Sequence, residues 1–270
     1  MEFLHIIVLA LIQGITEFLP ISSSGHLLLP AALLGWPEQG LAFDIAVHVG
    51  TLTAVVVYFR QDMIAMLTQW FGSLRGQGHT ANSRLAWFIL LATGPAALFG
   101  LLLGDLIEAY LRTTLVIAIT TIGFGLLLGW ADRWRHHKPI ELTHMTISLA
   151  LIIGCAQALA LIPGTSRSGI TITAALFCGF SRDAAARFSF LLAIPIILLS
   201  GGYKALQLLA LPQVNWGDLL WGAILSAVSA FLCIHYFLRF INQIGMMPFV
   251  IYRLILGGIL LFWALTYYPV

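Results

Sequence analysis

The feature that most constrains this chain is a series of six apolar stretches, each about as long as a bilayer is thick. A helix needs about 20 mostly apolar residues to cross a membrane. The stretches lie at residues 41–60, 86–104, 113–131, 186–207, 217–238 and 249–268. Only 9% of the 270 residues are charged, too few to cover the surface of a soluble domain. We therefore predict an all-α polytopic membrane protein, a single membrane domain over residues 1–270 with about six transmembrane helices.

Two further regions carry an apolar helix pattern that is interrupted by a polar segment. Residues 1–36 are interrupted at Pro20, the first break, and residues 145–180 at Pro163, the second break. Proline pushes the residue before it out of the α conformation, so a helix ends there. Neither half of either region is long enough to cross a membrane comfortably. We interpret each region as a re-entrant helical hairpin.

The two broken regions also resemble each other in sequence. At an offset of 144 residues the same residue types align: Gln13 with Gln157, Ser22 with Ser166, and Ser24 with Ser168. Three predicted spans follow each region, which indicates a duplication, repeat 1 at about 1–135 and repeat 2 at about 140–270. Because three is odd, the second copy would have the opposite orientation. In such inverted-topology repeats the broken helices meet at a site near the membrane midplane.

The positive charges favour one orientation of this topology. If residue 1 lies outside, only Arg112 and Lys204 fall in outside segments. Ten others then lie in inside loops: Arg60, Arg75, Arg84, Arg133, Arg135, Lys138, Arg182, Arg187, Arg239 and Arg253. Cytoplasmic loops are enriched in lysine and arginine, so the first hairpin is expected to enter from the outer side and the second, in the opposite orientation, from the inner side. The small net charge of +2 gives no reason to expect a nucleic-acid partner.

The first break combines a carboxylate, an imidazole and hydroxyl groups. Gln13 and Glu17 are four residues apart and therefore share one helix face. Ser22 can cap the helix that follows, and His26 lies in the first turn of that helix. Glu17 is a functional candidate because a charge inside a membrane is costly. Gln13 could instead join helices, and His48, at the start of the next span, could face either the site or an interface.

The second break supplies one guanidinium, that of Arg167, among hydroxyl groups at a helix start. A helix N-terminus favours negative charge, and arginine matches an oxyanion with two parallel hydrogen bonds. This combination suits a phosphate group, with Ser166, Ser168 and Thr171 close to it in sequence. A structural alternative stays open, in which Glu17 and Arg167 form an ion pair that only holds the repeats together.

Both breaks resemble the signatures of one membrane enzyme family. Residues 13–26, QGITEFLPISSSGH, resemble the E/Q-x-x-x-E…P-x-S-S-x-G-H signature of undecaprenyl-diphosphate phosphatases of the bacitracin-resistance type. Residues 163–171, PGTSRSGIT, resemble the P-G-x-S-R-S-x-x-T signature of the same family. The resemblance implies an enzyme of the bacterial inner membrane that hydrolyses undecaprenyl diphosphate to the monophosphate. The lipid carrier of peptidoglycan synthesis is thereby recycled, at a site that we expect to open to the periplasmic side.

The resemblance also implies roles for individual residues. We predict that Ser23 is the nucleophile, that Arg167 clamps the diphosphate, and that Glu17 or His26 is the base. Direct attack by water stays open. The predicted substrate-binding residues are Gln13, Ser22, Ser166, Ser168 and Thr171. The family implies a divalent cation, Mg²⁺ or Ca²⁺, for which Glu17 would be the main ligand; many members have a second carboxylate where this chain has Gln13.

Two other functions compete with this interpretation. Inverted repeats with broken helices are also the architecture of secondary transporters, so the chain could move an anion or flip the lipid carrier. Ser24-Gly25-His26 is similar to an element of the phosphatidic-acid-phosphatase superfamily, but Ser181-Arg182 is not followed by the histidine that this superfamily needs. We exclude that superfamily. The sequence leaves the oligomeric state open, a homodimer included.

Overall fold

Long apolar sequences become helices here because a helix satisfies its own backbone hydrogen bonds without water. The computed structural model describes residues 2–37, 40–134, 139–208 and 215–267. These residues form eleven α-helices: α1 Phe3–Phe18, α2 Ser23–Leu34, α3 Gly40–Tyr58, α4 Arg60–Leu74, α5 Ala81–Leu111, α6 Thr114–Arg133, α7 Ile147–Ala158, α8 Arg167–Phe177, α9 Arg182–Leu208, α10 Trp216–Ile244 and α11 Met247–Tyr267.

Six of these helices, α3, α5, α6, α9, α10 and α11, are long and apolar enough to cross a membrane. Each coincides with one predicted span, which confirms the all-α polytopic class. Three of these helices are clearly longer than the predicted spans, with 31 residues in α5, 27 in α9 and 29 in α10. In the described part of the chain, extended pairing is limited to one isolated bridge between Ile140 and Phe180.

Helix α4 was not predicted. It follows α3 directly, and its polar residues, such as Arg60 and Asp62, hide the pattern of a span. Its apolar side chains divide between two faces, since Met66 is buried whereas Ile64 and Phe71 are exposed. α4 is not among the helices that are long and apolar enough to cross a membrane, and it packs mainly on α5.

The two breaks lie between pairs of short helices. α1 and α2, with 16 and 12 residues, flank the first break at residues 19–22. α7 and α8, with 12 and 11 residues, flank the second at residues 159–166, which includes a single 3₁₀ turn at Leu159–Leu161. α1 packs on α10, and α7 packs on α5. Each of these short helices thus packs on a long helix of the other predicted repeat, as two copies of one unit would. The duplication and its re-entrant hairpins stay predictions.

α6 and α11 pack together, and both donate hydrogen bonds to backbone carbonyls of the second break. The Thr120 hydroxyl of α6 donates to the carbonyl of Pro163 at 2.6 Å, and the guanidinium of Arg253 on α11 donates to the carbonyl of Gly164 at 3.1 Å. We predicted Arg253 in an inside loop, and this is wrong, because it lies in α11 and is completely buried. Arg135 and Lys138 of the same predicted set lie outside the described residues.

A partly buried arginine joins the ends of three helices. Arg182, at the start of α9, donates two hydrogen bonds of 2.6 and 2.8 Å to the carboxylate of Asp132 at the end of α6. The same carboxylate accepts from the backbone N–H of Met246, next to the start of α11, at 3.2 Å. This bidentate pair therefore ties α6, α9 and α11 together.

Candidate active site

Each break ends in a serine whose backbone adopts a rare conformation. Ser22 has φ 74° and Ser166 has φ 70°, and in the described residues they are the only residues other than glycine with positive φ. Such a conformation strains a residue with a side chain, and strain of this kind occurs mainly at functional sites. Both serines are N-caps, since α2 starts at Ser23 and α8 at Arg167. The two helix N-termini therefore begin at the breaks.

A carboxylate from the first break contacts a guanidinium from the second. Arg167 Nη2 donates to Glu17 Oε1 at 3.0 Å. The other oxygen, Oε2, accepts from Gln13 Nε2 at 3.0 Å and from Ser23 Oγ at 3.1 Å. Only 8% of the Glu17 side chain and 14% of the Arg167 side chain are exposed. Four of the predicted site residues thus form one connected group.

Arg167 is held in place by residues of α8 and α9. Its Nη1 donates to the carbonyl of Ser189 at 3.1 Å, and its guanidinium carbon lies 5.9 Å from the centre of the Phe18 ring. The hydroxyls of Thr171 and Ser189 are 2.7 Å apart, and both side chains are fully buried. The Thr171 hydroxyl also donates to the carbonyl of Arg167 at 2.8 Å, so it supports the turn that carries Arg167. Ser189 was missed because a single serine in a long apolar span resembles ordinary helix packing.

Hydroxyl groups join the two breaks. Ser168 Oγ donates to the carbonyl of Leu19 at 2.9 Å and is buried. The backbone N–H of Gly164 donates to Ser24 Oγ at 3.4 Å. Ser166 Oγ caps α8 by accepting from the N–H of Gly169 at 3.2 Å. Ser168 thus holds the breaks together, whereas Ser24 and Ser166 also line the cavity between them.

His26 does not join the group around Glu17. Its Nδ1 lies 2.6 Å from the carbonyl oxygen of Ser22, and its Nε2 lies 2.6 Å from the hydroxyl of Tyr252 on α11. A carbonyl can only accept, so Nδ1 carries the proton and the neutral Nε2 accepts from Tyr252. Both ring nitrogens are therefore hydrogen-bonded to Ser22 and Tyr252, and neither contacts Glu17.

The imidazole that faces the site belongs to His48 of α3. Its Nε2 lies 3.9 Å from Glu17 Oε2, and its Nδ1 lies 2.7 Å from the carbonyl of Asp44. By the same reasoning Nδ1 carries the proton, which leaves Nε2 toward Glu17. About a third of the side chain, 36%, is exposed, and it lines the cavity. The sequence left its direction open because either side of α3 could have faced the breaks.

A cavity of about 440 Å³ lies between the breaks and the helices α5, α7 and α9. Its polar end is lined by Glu17, Ser22, Ser23, Ser24, His48, Gln157, Ser166 and Arg167. The rest of its lining is apolar, with small residues such as Ala97 and Gly100 on α5 and with Ile197 on α9. A charged end that continues into an apolar wall suits a ligand with an anionic headgroup and a hydrocarbon tail.

The oxygen atoms around the site fit a hard cation that also binds phosphate. Gln13 Oε1 and Gln157 Oε1 are buried without a hydrogen-bond partner in the described structure. Mg²⁺ typically uses one or two carboxylates and completes its shell with water and substrate phosphates. The described residues contain no group of three or more histidine, cysteine, aspartate or glutamate side chains. In the described residues the candidate ligands for such a cation are therefore one carboxylate, Glu17, and these two amide oxygens.

Comparison with known proteins gives a consistent result over nearly the whole chain. The family described as Bacitracin resistance protein BacA matches residues 6–259. The undecaprenyl-diphosphatase of Saccharophagus degradans is 63% identical over 258 residues, 96% of this chain and 97% of the relative. That of Teredinibacter turnerae is 63% identical over 264 residues, 96% and 98% of the two chains. That of Chromohalobacter salexigens is 59% identical over 265 residues, 98% and 100%.

Proposed function

The chain belongs to the Bacitracin resistance protein BacA family, and we infer that the residues at its two breaks hydrolyse a lipid diphosphate. It is a membrane phosphatase that hydrolyses undecaprenyl diphosphate to undecaprenyl phosphate and inorganic phosphate, which recycles the lipid carrier for peptidoglycan synthesis. The observation that supports the site is the contact of Arg167 Nη2 with Glu17 Oε1 at 3.0 Å, at the polar end of a cavity with an apolar wall.

In the proposed first step, Ser23 attacks the terminal phosphorus. Its hydroxyl already donates to Glu17 Oε2 at 3.1 Å, so the carboxylate accepts the proton as the new Ser23–phosphorus bond forms. The phosphoanhydride bond breaks, and undecaprenyl phosphate leaves. A water molecule then attacks the phosphoserine, the Ser23–phosphorus bond breaks, and inorganic phosphate departs with the protons of the water. The proton on Glu17 returns to the Ser23 oxygen, which restores both side chains. The sequence left Glu17 and His26 open as the base. The proposed step uses Glu17, because both ring nitrogens of His26 are hydrogen-bonded to Ser22 and Tyr252.

The second break stabilises the charge on the transferred phosphoryl group. Phosphoryl transfer depends mainly on positioning and on fixed positive charge around the phosphate oxygens. Arg167 supplies a guanidinium, and the N-termini of α2 and α8 supply N–H groups and the positive ends of two helix dipoles. Ser22 and Ser166 line this end of the cavity and would contact the phosphate oxygens.

The apolar wall would hold the first prenyl units of the substrate. A long hydrocarbon tail is too apolar to leave the bilayer, so the headgroup site must be reached from within the membrane. The wall formed by α5 and α9 supports a lateral route for the tail. The charge pattern supports a cavity mouth on the periplasmic side of the inner membrane. A homodimer stays a prediction.

A divalent cation, Mg²⁺ or Ca²⁺, would be held by Glu17 with the unpaired Oε1 of Gln13. When bound, it would neutralise negative charge on the diphosphate oxygens. Around it, Gln13 orients the Glu17 carboxylate through its Nε2 hydrogen bond of 3.0 Å.

Gln13→Glu tests this cation assignment. A second carboxylate beside Glu17 strengthens binding of a hard cation, so we expect half-maximal phosphate release at a ~10-fold lower Mg²⁺ concentration. Gln13→Leu removes the amide oxygen and is expected to shift the concentration in the opposite direction. Titration of Mg²⁺ into chelator-treated protein measures both shifts. Identical titration curves for the three proteins would remove Gln13 from the cation site.

Phosphate release by the purified protein from undecaprenyl diphosphate tests the proposed function. We expect inorganic phosphate to appear in detergent solution. No membrane separates two compartments there, so transport cannot account for the released phosphate. Glu17→Gln keeps the size of the side chain but removes the base, and we expect it to lose most of this activity. Carrier movement in vesicles without phosphate release would instead favour the transporter or flippase.

A further inference from the structure

Arg253 is a buried cation at the point where the two breaks meet, and the proposed mechanism does not use it. No part of its side chain is exposed. Its guanidinium donates to five backbone carbonyls, those of Pro20 at 3.3 Å, Thr120 at 3.4 Å, Thr121 at 3.0 Å, Gly164 at 3.1 Å and Thr165 at 3.0 Å. All five of these partners are neutral carbonyl oxygens, one of the two kinds of partner that charges inside membrane proteins use.

The carbonyls come from both breaks and from the helix that supports them. Pro20 belongs to the first break, Gly164 and Thr165 belong to the second, and Thr120 and Thr121 belong to α6. A helix that ends inside a membrane leaves carbonyls without partners, and water cannot satisfy them there. The guanidinium has five N–H donors in one plane and satisfies several carbonyls at once.

The surroundings of Arg253 leave little free space. A Cβ on Gly169 would lie 2.9 Å from Arg253 Nη1, and a Cβ on Gly125 would lie 3.1 Å from Arg253 Cβ. The preceding residue, Tyr252, donates to Nε2 of His26 behind the first break at 2.6 Å. Two consecutive residues of α11, Tyr252 and Arg253, are therefore hydrogen-bonded to residues at the breaks.

We propose that Arg253 is a positioning residue that acts as a tethered cation and holds the two breaks in one fixed arrangement. In inverted-repeat transporters the carbonyls of broken helices coordinate a mobile coupling ion. Here such carbonyls surround a side chain that cannot dissociate, so the breaks stay together. This arrangement suits chemistry that needs Glu17 and Arg167 in contact at every step. The inference rests on the proposed function, because its first readout is hydrolysis.

Arg253→Ala in the full chain, assayed with added guanidinium, tests this proposal. We expect kcat to fall ~100-fold, because small displacements of reacting groups cost about that much. Millimolar guanidinium should fill the vacated cage and raise kcat at least ~10-fold, whereas urea, which has the same shape without the charge, should not. The thermal transition of the variant in detergent should also rise with guanidinium and not with urea.

Arg182→Ala is the matched control, since Arg182 is a partly buried arginine that is paired with Asp132 and not with the breaks. We expect it to lower the thermal transition without any recovery of turnover by guanidinium. Wild-type kcat in Arg253→Ala, or a folded variant that responds to urea and guanidinium alike, would overturn the proposal. Thermal rescue by guanidinium in a protein that releases no phosphate would count against the proposed function alone.

If Arg253→Ala does not fold, Arg253→Lys and Arg253→Met replace it. Lysine keeps a tethered cation with three donors, and methionine keeps a long side chain without charge. We expect kcat of the lysine variant to exceed that of the methionine variant by at least ~10-fold. Equal turnover in the two variants would show that the charge of Arg253 is irrelevant.

Discussion

Arg167→Ala is expected to lower kcat/KM for undecaprenyl diphosphate by about 10³-fold, the effect typical of removing an arginine that stabilises a phosphoryl transition state. Arg167 is the guanidinium that contacts Glu17, and it lines the polar end of the cavity. Its loss removes positive charge from the transferred phosphoryl group and leaves the buried Glu17 carboxylate without its partner. Initial rates of phosphate release at several substrate concentrations measure the effect.

Two further variants serve as comparisons for Arg167→Ala. Arg167→Lys keeps the charge but loses the planar fork, and we expect activity between those of wild type and Arg167→Ala. Arg187→Ala removes an arginine of α9 whose ion pair with Asp183, at 2.9 Å, is partly exposed. Such pairs contribute little, so we expect activity within ~2-fold of wild type. An Arg167→Ala variant with more than a tenth of wild-type activity would contradict the assigned role.

Ser23→Ala is expected to lower kcat by about 10³-fold or more, because it removes the attacking oxygen of a covalent mechanism. The hydroxyl donates to Glu17 Oε2 at 3.1 Å, which is the geometry of a nucleophile beside its base. The second readout is direct: rapid acid quenching with substrate labelled in its terminal phosphate should leave label on wild-type protein and none on the variant.

Ser24→Ala is the matched control for Ser23. The Ser24 hydroxyl lies 3.1 Å from Ser22 Oγ and accepts from the N–H of Gly164, so it supports the break without contacting the base. We expect its removal to cost less than ~10-fold in kcat. Near-normal turnover in Ser23→Ala would end the covalent route and leave water as the attacking group.

The fold was predictable because lipid imposes simple rules on sequence. A span needs a long apolar run, and each of the six predicted spans coincides with one of these helices, although α5, α9 and α10 extend beyond the predicted ends. The breaks were predictable as well, since Pro20 and Pro163 each interrupt an apolar helix beside serines and glycine. Glu17 and Arg167 were predicted to meet because broken helices of inverted repeats converge, and the two side chains are in contact at 3.0 Å, while the duplication itself stays a prediction.

The remaining site residues depend on tertiary contacts that the local sequence does not record. His26 is in the first turn of α2, but its ring turns toward Tyr252, a residue more than 200 positions away. His48 faces Glu17 only because α3 packs beside α1. Arg253 resembled an inside-loop charge because nothing nearby in sequence indicates that five distant carbonyls surround it. Each of these positions is decided by how the helices pack.

The most direct test of a shared site is a double-mutant cycle between Glu17→Gln and Arg167→Gln, measured as kcat/KM for phosphate release. If the two residues act as one unit, the double variant should be no more than ~3-fold worse than the poorer single variant. Multiplication of the two single losses in the double variant would mean that the residues act independently. The two breaks would then not form one catalytic site.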